Sequence, residues 1–186
     1  MTEQYTEKKA RTGSGLVHIY CGDGKGKTTA GIGQCVRAAG YGYRVLIYQF
    51  MKDNSSSERN ALRLIPGITL IDGPEQVQFS FRMTEEEKKE RRSFYRQELS
   101  RIARLAAEQE ADVLFLDEAI YAVRCGLLDE DSLIRFLEAR PDRLEVILTG
   151  RDPGEKLCAC ADYISEIRKV RHPFDQGQPA RSGIER

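Results

Sequence analysis

The sequence predicts one α/β domain in which helices cover both faces of a parallel β-sheet. Short apolar runs of strand length alternate along the chain with longer segments of helical periodicity. Strands that are joined through helices run parallel, and such a sheet is covered on both sides. The domain is expected to span residues 15–186, because residues 1–14 are polar, lack periodicity and are predicted to form a mobile arm.

The first part of the domain contains three predicted strands and one helix. The apolar runs typical of buried strands are residues 16–20, 44–50 and 68–71. A helix is predicted over residues 27–39 and is expected to end at Gly40, because glycine favours the left-handed conformation that often follows a helix. Residues 51–60, which include three consecutive serines, are predicted to form a flexible loop.

The longest predicted helix begins at Thr84. Thr84 and Glu87 have the spacing of a capping box, and glutamates in the first turn interact favourably with the helix dipole. Four apolar residues recur at the spacing of a single buried helix face. They are Tyr95, Leu99, Ile102 and Ala106.

The second half of the chain repeats the alternation of strands and helices. Strands are predicted over residues 113–116, 145–148 and 163–170. The helix predicted over about residues 131–139 must end before Pro141, because a residue that precedes proline disfavours helical geometry. Asp152, followed by Pro153 and Glu155, is predicted to cap another helix.

A glycine-rich loop joins the first predicted strand to the first helix. Its glycines let backbone N–H groups point at phosphate oxygens, and the helix N-terminus adds positive potential. Lys27 would reach the outer phosphates and the Thr28 hydroxyl would coordinate Mg²⁺. The match to the general phosphate-loop pattern is imperfect, because Cys21 stands where that pattern has glycine. The predicted nucleotide-binding residues are Gly22, Asp23, Gly24, Lys25, Gly26, Lys27, Thr28 and Thr29.

Two acidic residues, Asp117 and Glu118, directly follow the predicted strand 113–116. Ligands of parallel α/β sheets bind outside the carboxyl ends of the strands, where the phosphate loop also lies. One or both carboxylates are therefore predicted to hold Mg²⁺, and the spacing does not decide between them. Together with the phosphate loop they predict a P-loop NTPase fold of the RecA-like type.

Composition excludes several classes of protein. The 29 basic and 29 acidic residues balance, which does not favour a nucleic-acid partner. No apolar run approaches the ~18 residues of a membrane span, and the first residues lack the apolar core of a signal peptide, so we expect a cytoplasmic protein with no membrane partner. Five cysteines without CxxC spacing are expected to be reduced thiols rather than a zinc site.

Several segments together resemble the corrinoid adenosyltransferases of bacterial cobalamin synthesis. The matching residues are 22–33, 37–40, 49–52, 58–60, 116–118, 149–151, 161–162 with 165–166, 172–175 and 183–185. Members of that family also lack the first glycine of the phosphate-loop pattern. The resemblance implies transfer of the 5′-deoxyadenosyl group of ATP to Co(I) of a corrinoid, with release of triphosphate. It also implies Mg²⁺ or Mn²⁺ as cofactor, a flavoprotein as reductant and a homodimer.

The resemblance also assigns roles to individual residues. Lys27, Thr28 and Glu118 are the expected catalytic residues, since they would stabilise the charge of the leaving triphosphate. The arginine that matches Arg37 contacts the nucleotide in the family, although an exposed surface arginine is an equal alternative. Arg151, at a strand end, is expected to meet phosphate or a corrin side-chain amide.

Two aromatic residues, Phe79 and Phe81, match the positions that pack beneath the corrin in the family and displace its lower axial ligand. Four-coordinate Co(II) is easier to reduce, which makes Co(I) accessible. Without the resemblance, two aromatics at this spacing would be assigned to the core. His172 is expected to be structural or a dimer contact, because an axial ligand would oppose the four-coordinate state.

Two other functions use the same motifs. A small-molecule kinase or ATPase would bind ATP through the same loop and would form ADP. A regulator that binds ATP or corrinoid without turnover would form no product. The presence of both the Lys27–Thr28 pair and the two acidic residues argues mildly against the regulator.

Overall fold

Six parallel strands form one sheet within residues 13–78 and 80–185, the part of the chain that the computed structural model describes. The strands are β1 (Val17–Cys21), β2 (Val45–Gln49), β3 (Ile68–Leu70), β4 (Val113–Asp117), β5 (Glu145–Thr149) and β6 (Tyr163–Glu166). Their order across the sheet is β3-β2-β4-β5-β1-β6. Because β5 lies between β1 and β4, the carboxyl ends of these three strands are neighbours. The predicted parallel α/β fold is confirmed.

Helices cover both faces of this sheet, as predicted. They are α1 (Lys27–Tyr41), α2 (Glu58–Leu62), α3 (Glu85–Glu108), α4 (Ala119–Arg124), α5 (Glu130–Ala139) and α6 (Glu155–Ala159). Alternate strand residues face opposite sides. Leu46 lies in a buried cluster with residues of α3 to α6, whereas Ile47 packs in a second cluster with residues of α1 and α2.

The long helix α3 begins and packs as the sequence predicts. Thr84 and Glu87 form the capping box, and Tyr95 is among the four buried residues of the predicted face. The ring of Tyr95 meets that of Phe50 edge-on at 5.1 Å between centroids, and its hydroxyl accepts a hydrogen bond from the Met51 amide at 2.9 Å. α3 therefore holds the chain in place where it leaves β2.

The predicted end of α1 at Gly40 is wrong. The helix continues to Tyr41, and Gly42, with φ +102°, is the left-handed residue whose N–H contacts the carbonyls of Ala38 and Ala39. Gly40 remains helical, and a side chain at this position would meet no other atom. Both glycines satisfy the sequence signal for a helix end, so the signal alone did not select the right one.

Several other boundaries differ from the predictions. α2 occupies the end of the stretch predicted as a loop, and β6 ends at Glu166 instead of residue 170. Asp152 does not cap α6; Gly154 does, while the Asp152 carboxylate pairs with Arg124. The short helix α4 was not predicted. Of the arm predicted over residues 1–14, residues 1–12 lie outside the described part of the chain.

Candidate active site

The phosphate loop keeps its shape through contacts with the segment that follows β6. Gly22 has φ +106°, and a Cβ atom there would lie 2.3 Å from the carbonyl oxygen of Ile167. The Gly24 amide donates to that same oxygen at 2.8 Å, and Asp23 Oδ1 accepts from the Lys169 amide at 2.8 Å. The residues that directly follow β6 therefore support the phosphate loop.

Lys27 is buried within this loop. Its Nζ donates a hydrogen bond to the Gly24 carbonyl at 2.8 Å. Burial, followed by the nearby positive charge of Arg151, lowers the pKa of Lys27. Arg151 lines the same cleft, so two cations lie close together over the loop. A polyphosphate bound here would relieve the repulsion between them.

Asp117, at the end of β4, is fully buried and accepts hydrogen bonds at both carboxylate oxygens. Oδ1 accepts from Thr28 Oγ1 at 2.9 Å and from Thr149 Oγ1 at 2.6 Å. Oδ2 accepts from Lys52 Nζ at 2.7 Å and from Gln49 Nε2 at 3.2 Å. The phosphate loop and the carboxyl ends of β2, β4 and β5 thus meet at one carboxylate.

Glu118 follows in a left-handed backbone conformation, with φ 56° and ψ 16°. Its amide donates to Thr149 Oγ1 at 2.8 Å, and the residue lines the cleft over the phosphate loop. Burial, followed by the neighbouring charge of Asp117, raises the pKa of Glu118. A cation bound in the cleft would favour the ionised form of this carboxyl group.

The oxygen donors of Thr28, Asp117 and Glu118 have the chemistry that suits Mg²⁺, which binds few protein carboxylates and keeps water and substrate phosphates as its other ligands. The buried carboxylate of Asp117 already pairs with one cation, the ammonium group of Lys52. Among the described residues no group of three His, Cys, Asp or Glu side chains is placed to hold a metal by itself. The residues therefore fit a metal that arrives with a nucleotide. The five cysteines form no disulfide, and two of them, Cys21 and Cys35, are buried.

A second cleft lies beside the phosphate cleft. Glu185, near the C-terminus, lines both of them. The second cleft is formed by the chain after β2, the residues before α3 and the C-terminal tail, and its lining includes Met51, Lys52, Ser55, Val77, Gln78 and Ser182. Two adjoining clefts can hold two substrates next to each other.

Comparison with known protein families identifies the family to which this chain belongs. The family model of ATP:corrinoid adenosyltransferases BtuR/CobO/CobP matches residues 13–186. The chain belongs to this family. It is 32% identical over 183 residues to the corrinoid adenosyltransferase of Escherichia coli K12, an alignment that covers 95% of this chain and 88% of that protein. The corrinoid adenosyltransferase CobA of Salmonella typhimurium is 33% identical with the same coverage.

The fold of this adenosyltransferase family member is also found among solved structures. A KaiC-like protein from Pyrococcus horikoshii superposes with a TM-score of 0.55 and 18% sequence identity, covering 83% of this chain and 73% of that one. At this identity the likeness concerns the fold alone, and it agrees with the predicted parallel α/β fold. Along the described part of the chain, no helix combines the length and apolar character needed to cross a bilayer.

Of the aromatic residues expected to meet a corrinoid, the structure describes Phe81. It lies in a short 3₁₀ helix (Ser80–Arg82), its side chain is 77% exposed, and the Arg82 guanidinium lies 5.6 Å from its ring centre. The alternative that Phe81 belongs to the core is therefore wrong. Phe79 lies outside the described residues, and its predicted role stays a prediction.

Arg37 does not line the phosphate cleft. It lies ten residues beyond Lys27 on α1, which corresponds to about 15 Å along the helix. Its neighbours in a shallow surface depression are Gln34, Tyr41 and the first residue of β4, Val113. This depression is at the opposite end of the sheet from the phosphate loop. The expected contact between Arg37 and nucleotide stays a prediction.

His172 also lines the phosphate cleft, where it has a structural contact. Its Nδ1 accepts a hydrogen bond from the Phe174 amide at 3.1 Å and so caps the 3₁₀ helix Pro173–Gln176. This agrees with the structural role predicted for it.

Several residues around Asp117 were missed as site residues. Gln49 ends β2 and Lys52 follows it by three residues, whereas Thr149 ends β5. Arg59 is 1% exposed and pairs with Asp72. Gln49 also donates to Glu58 at 2.9 Å. The signal that could have found Gln49, Lys52 and Thr149 is their position at or just after the ends of predicted strands, where ligands bind to such a sheet.

Proposed function

We propose that this chain transfers the 5′-deoxyadenosyl group of ATP to Co(I) of a corrinoid, in the synthesis or salvage of adenosylcobalamin. The electron pair of Co(I) forms the bond to the ribose C5′ atom, the C5′–O bond breaks, and its electrons leave with inorganic triphosphate. Membership of the ATP:corrinoid adenosyltransferase family supports this assignment. The observation that carries it in the structure is the 2.9 Å hydrogen bond from Thr28 to Asp117, which joins the phosphate loop to the acidic end of β4.

The phosphate cleft is suited to a leaving group that gains negative charge. A triphosphate bound here would meet the loop residues 25–28, the ammonium of Lys27 and the guanidinium of Arg151, which all line the cleft. Mg²⁺, when bound with the nucleotide, would neutralise part of that charge, and Thr28 with Glu118 or Asp117 would hold it. The reaction needs no general base, because Co(I) carries no proton.

The second cleft is the proposed site of the corrinoid. It adjoins the phosphate cleft at Glu185, so a corrin bound there would face the ribose of the nucleotide. Exposed Phe81 follows Gln78, which lines this cleft, by three residues. We propose that Phe79 and Phe81 pack beneath the corrin in place of its lower axial ligand, which lets a flavoprotein reduce Co(II). We further propose that the protein acts in the cytoplasm as a homodimer.

An anaerobic assay tests this function. The protein is mixed in the dark with ATP, Mg²⁺ and chemically reduced corrinoid, and the phosphate product is identified. We expect triphosphate to appear in step with a light-labile cobalt–carbon absorbance. Lys27→Ala should lose about 100-fold or more of this activity and stay folded, because it removes a charge that stabilises the leaving group. Lys89→Ala, on the exposed face of α3, is the matched control.

Other products would overturn the assignment. ADP or phosphate without a change at cobalt would indicate a kinase or an ATPase. Tight binding of ATP or corrinoid without any product would indicate a regulator. Wild-type turnover by Lys27→Ala at saturating ATP would remove the phosphate loop from the reaction.

A further inference from the structure

Thr149 lies between the two halves of the candidate metal site. It is the last residue of β5, the strand that separates β1, which leads into the phosphate loop, from β4, which ends at Asp117. Its side chain is fully buried and lines neither the phosphate cleft nor the second cleft. Thr149 is therefore placed to act on the acidic residues without touching a nucleotide.

The Thr149 hydroxyl makes one hydrogen bond to each of the two acidic residues. It donates to Asp117 Oδ1 at 2.6 Å and accepts from the Glu118 amide at 2.8 Å. A hydroxyl has one proton to donate, and here that proton is directed at a carboxylate. One buried group thus fixes the side chain of Asp117 and the backbone of Glu118 at the same time.

The next residue lets these elements approach each other. Gly150 has φ +152°, and a Cβ atom at this position would lie 2.5 Å from the Tyr121 amide nitrogen and 2.6 Å from Ile120 Cβ. The start of α4 therefore packs directly against the end of β5. Glu118 has a positive φ, which is uncommon for a residue other than glycine and needs support from its surroundings. The hydrogen bond from its amide to Thr149 is such a support.

We propose that Thr149 is a positioning residue that sets the affinity of the site for Mg²⁺-nucleotide by holding Asp117 and Glu118 in place. This inference rests on the proposed use of Asp117 or Glu118 as a metal ligand. Groups that orient the ligands of a metal change its affinity by about 10- to 100-fold when they are removed. Thr28 also donates to Asp117 Oδ1, so loss of Thr149 leaves the carboxylate with a single donor at that oxygen.

Three variants test the proposal. Thr149→Val keeps the shape of the side chain and removes the hydroxyl, Thr149→Ala removes it without adding bulk, and Thr149→Ser retains it. Calorimetry would measure binding of the β,γ-imido analogue of ATP with saturating Mg²⁺ and with EDTA. We expect Mg²⁺ to strengthen binding in the wild type, and this gain to fall about 10- to 100-fold in the valine and alanine variants. The serine variant should stay within about threefold, and binding in EDTA should not change.

A second readout needs no metal or nucleotide. Hydrogen exchange of the Glu118 amide, followed by NMR, should accelerate in Thr149→Val and remain slow in Thr149→Ser, because only the hydroxyl accepts that proton.

Four results would overturn the proposal. They are an absence of Mg²⁺ dependence in the wild type, equal losses with Mg²⁺ and with EDTA, a serine variant as weak as the valine variant, and failure of both valine and alanine variants to fold while serine folds. Because none of these measurements involves a corrinoid, a protein that fails the transfer assay can still show the role of Thr149.

Discussion

The ammonium group of Lys52 lies 2.7 Å from Oδ2 of Asp117, on the carboxylate whose other oxygen accepts a hydrogen bond from Thr28. A cation from the chain after β2 thus compensates the buried charge at the end of β4. Burial alone would lower the pKa of Lys52, but the charge of Asp117 and its hydrogen bond outweigh this effect, and the pKa is raised. Lys52 therefore stays protonated at neutral pH.

Lys52→Met should destabilise the protein because it leaves the carboxylate of Asp117 buried without its cation. We expect the free energy of unfolding, measured with urea in EDTA, to fall by about 1–3 kcal/mol, less than for a fully buried pair because Lys52 is partly exposed. The raised pKa means that this contribution is complete below the ordinary value of 10.5 and is lost only above it.

Asp117→Asn is the partner variant in a double-mutant cycle. The combined Lys52→Met and Asp117→Asn variant should recover more than half of the loss, because no uncompensated charge remains. Additive losses would show that the two side chains do not stabilise each other.

Gly22 in the phosphate loop and Gly40 in α1 should respond in opposite ways to alanine. Gly22→Ala places a methyl group 2.3 Å from the Ile167 carbonyl oxygen at a positive φ, so we expect nucleotide affinity to fall at least tenfold as the loop is displaced.

Gly40→Ala adds a methyl group that no atom outside its own helix would contact. It should raise the free energy of unfolding by about 1 kcal/mol, because alanine favours the helix more than glycine does. Calorimetry of nucleotide binding and urea unfolding check the two expectations. If Gly22→Ala bound nucleotide with wild-type affinity, the backbone of residues 167–169 would have moved to accommodate the methyl group without displacing the loop.

Phe81→Ala should affect reduction more than transfer. We expect a larger loss of rate when the reaction starts from Co(II) and a protein reductant than when it starts from chemically prepared Co(I), because the ring is proposed to replace the lower axial ligand. Leu64→Ala, which also truncates a strongly exposed apolar side chain, is the control. Equal losses in the two assays would remove this role from Phe81.

Stability should depend on pH through the cap of α5. Asp129 Oδ2 accepts hydrogen bonds from the Ser132 side chain and amide, and these lower the pKa of Asp129 below 3.8. The contribution is therefore present above that value and is lost as the pH falls through the lowered pKa. Asp129→Ala should cost about 0.5–2 kcal/mol near pH 7 and much less at the lowest accessible pH, measured by urea unfolding. If the loss of unfolding free energy in Asp129→Ala did not change with pH, ionisation of Asp129 would not be its source.

Local signals predicted the fold and the chemistry of the phosphate loop. The Thr84 capping box and the Lys27–Thr28 pair involve residues that are neighbours or near neighbours in the chain, so their geometry follows from their spacing. The two acidic residues at the end of β4, Asp117 and Glu118, were found in the same way. Such motifs need only a strand before them or a helix after them, and both were visible as hydrophobic patterns.

The choice between similar local signals depended on packing. Gly40 and Gly42 are both glycines near the end of α1, and only the second has a left-handed conformation. Asp152 has the residue type of a helix cap but pairs with Arg124 instead. In each case residues distant in the chain, or the backbone that follows, determined which of two locally acceptable conformations is formed.

Short-range spacing specifies the parallel α/β class, the phosphate loop and the two acidic residues, so all three could be predicted from the sequence. The contact of Thr149 and Lys52 with Asp117 could not, because they are 32 and 65 residues from it in the chain. They meet there because of the order of the strands. β5 and β2 flank β4 in the sheet, so their last residues, and Lys52 three residues after β2, reach the same carboxylate. That order is set by how the strands pair over long range.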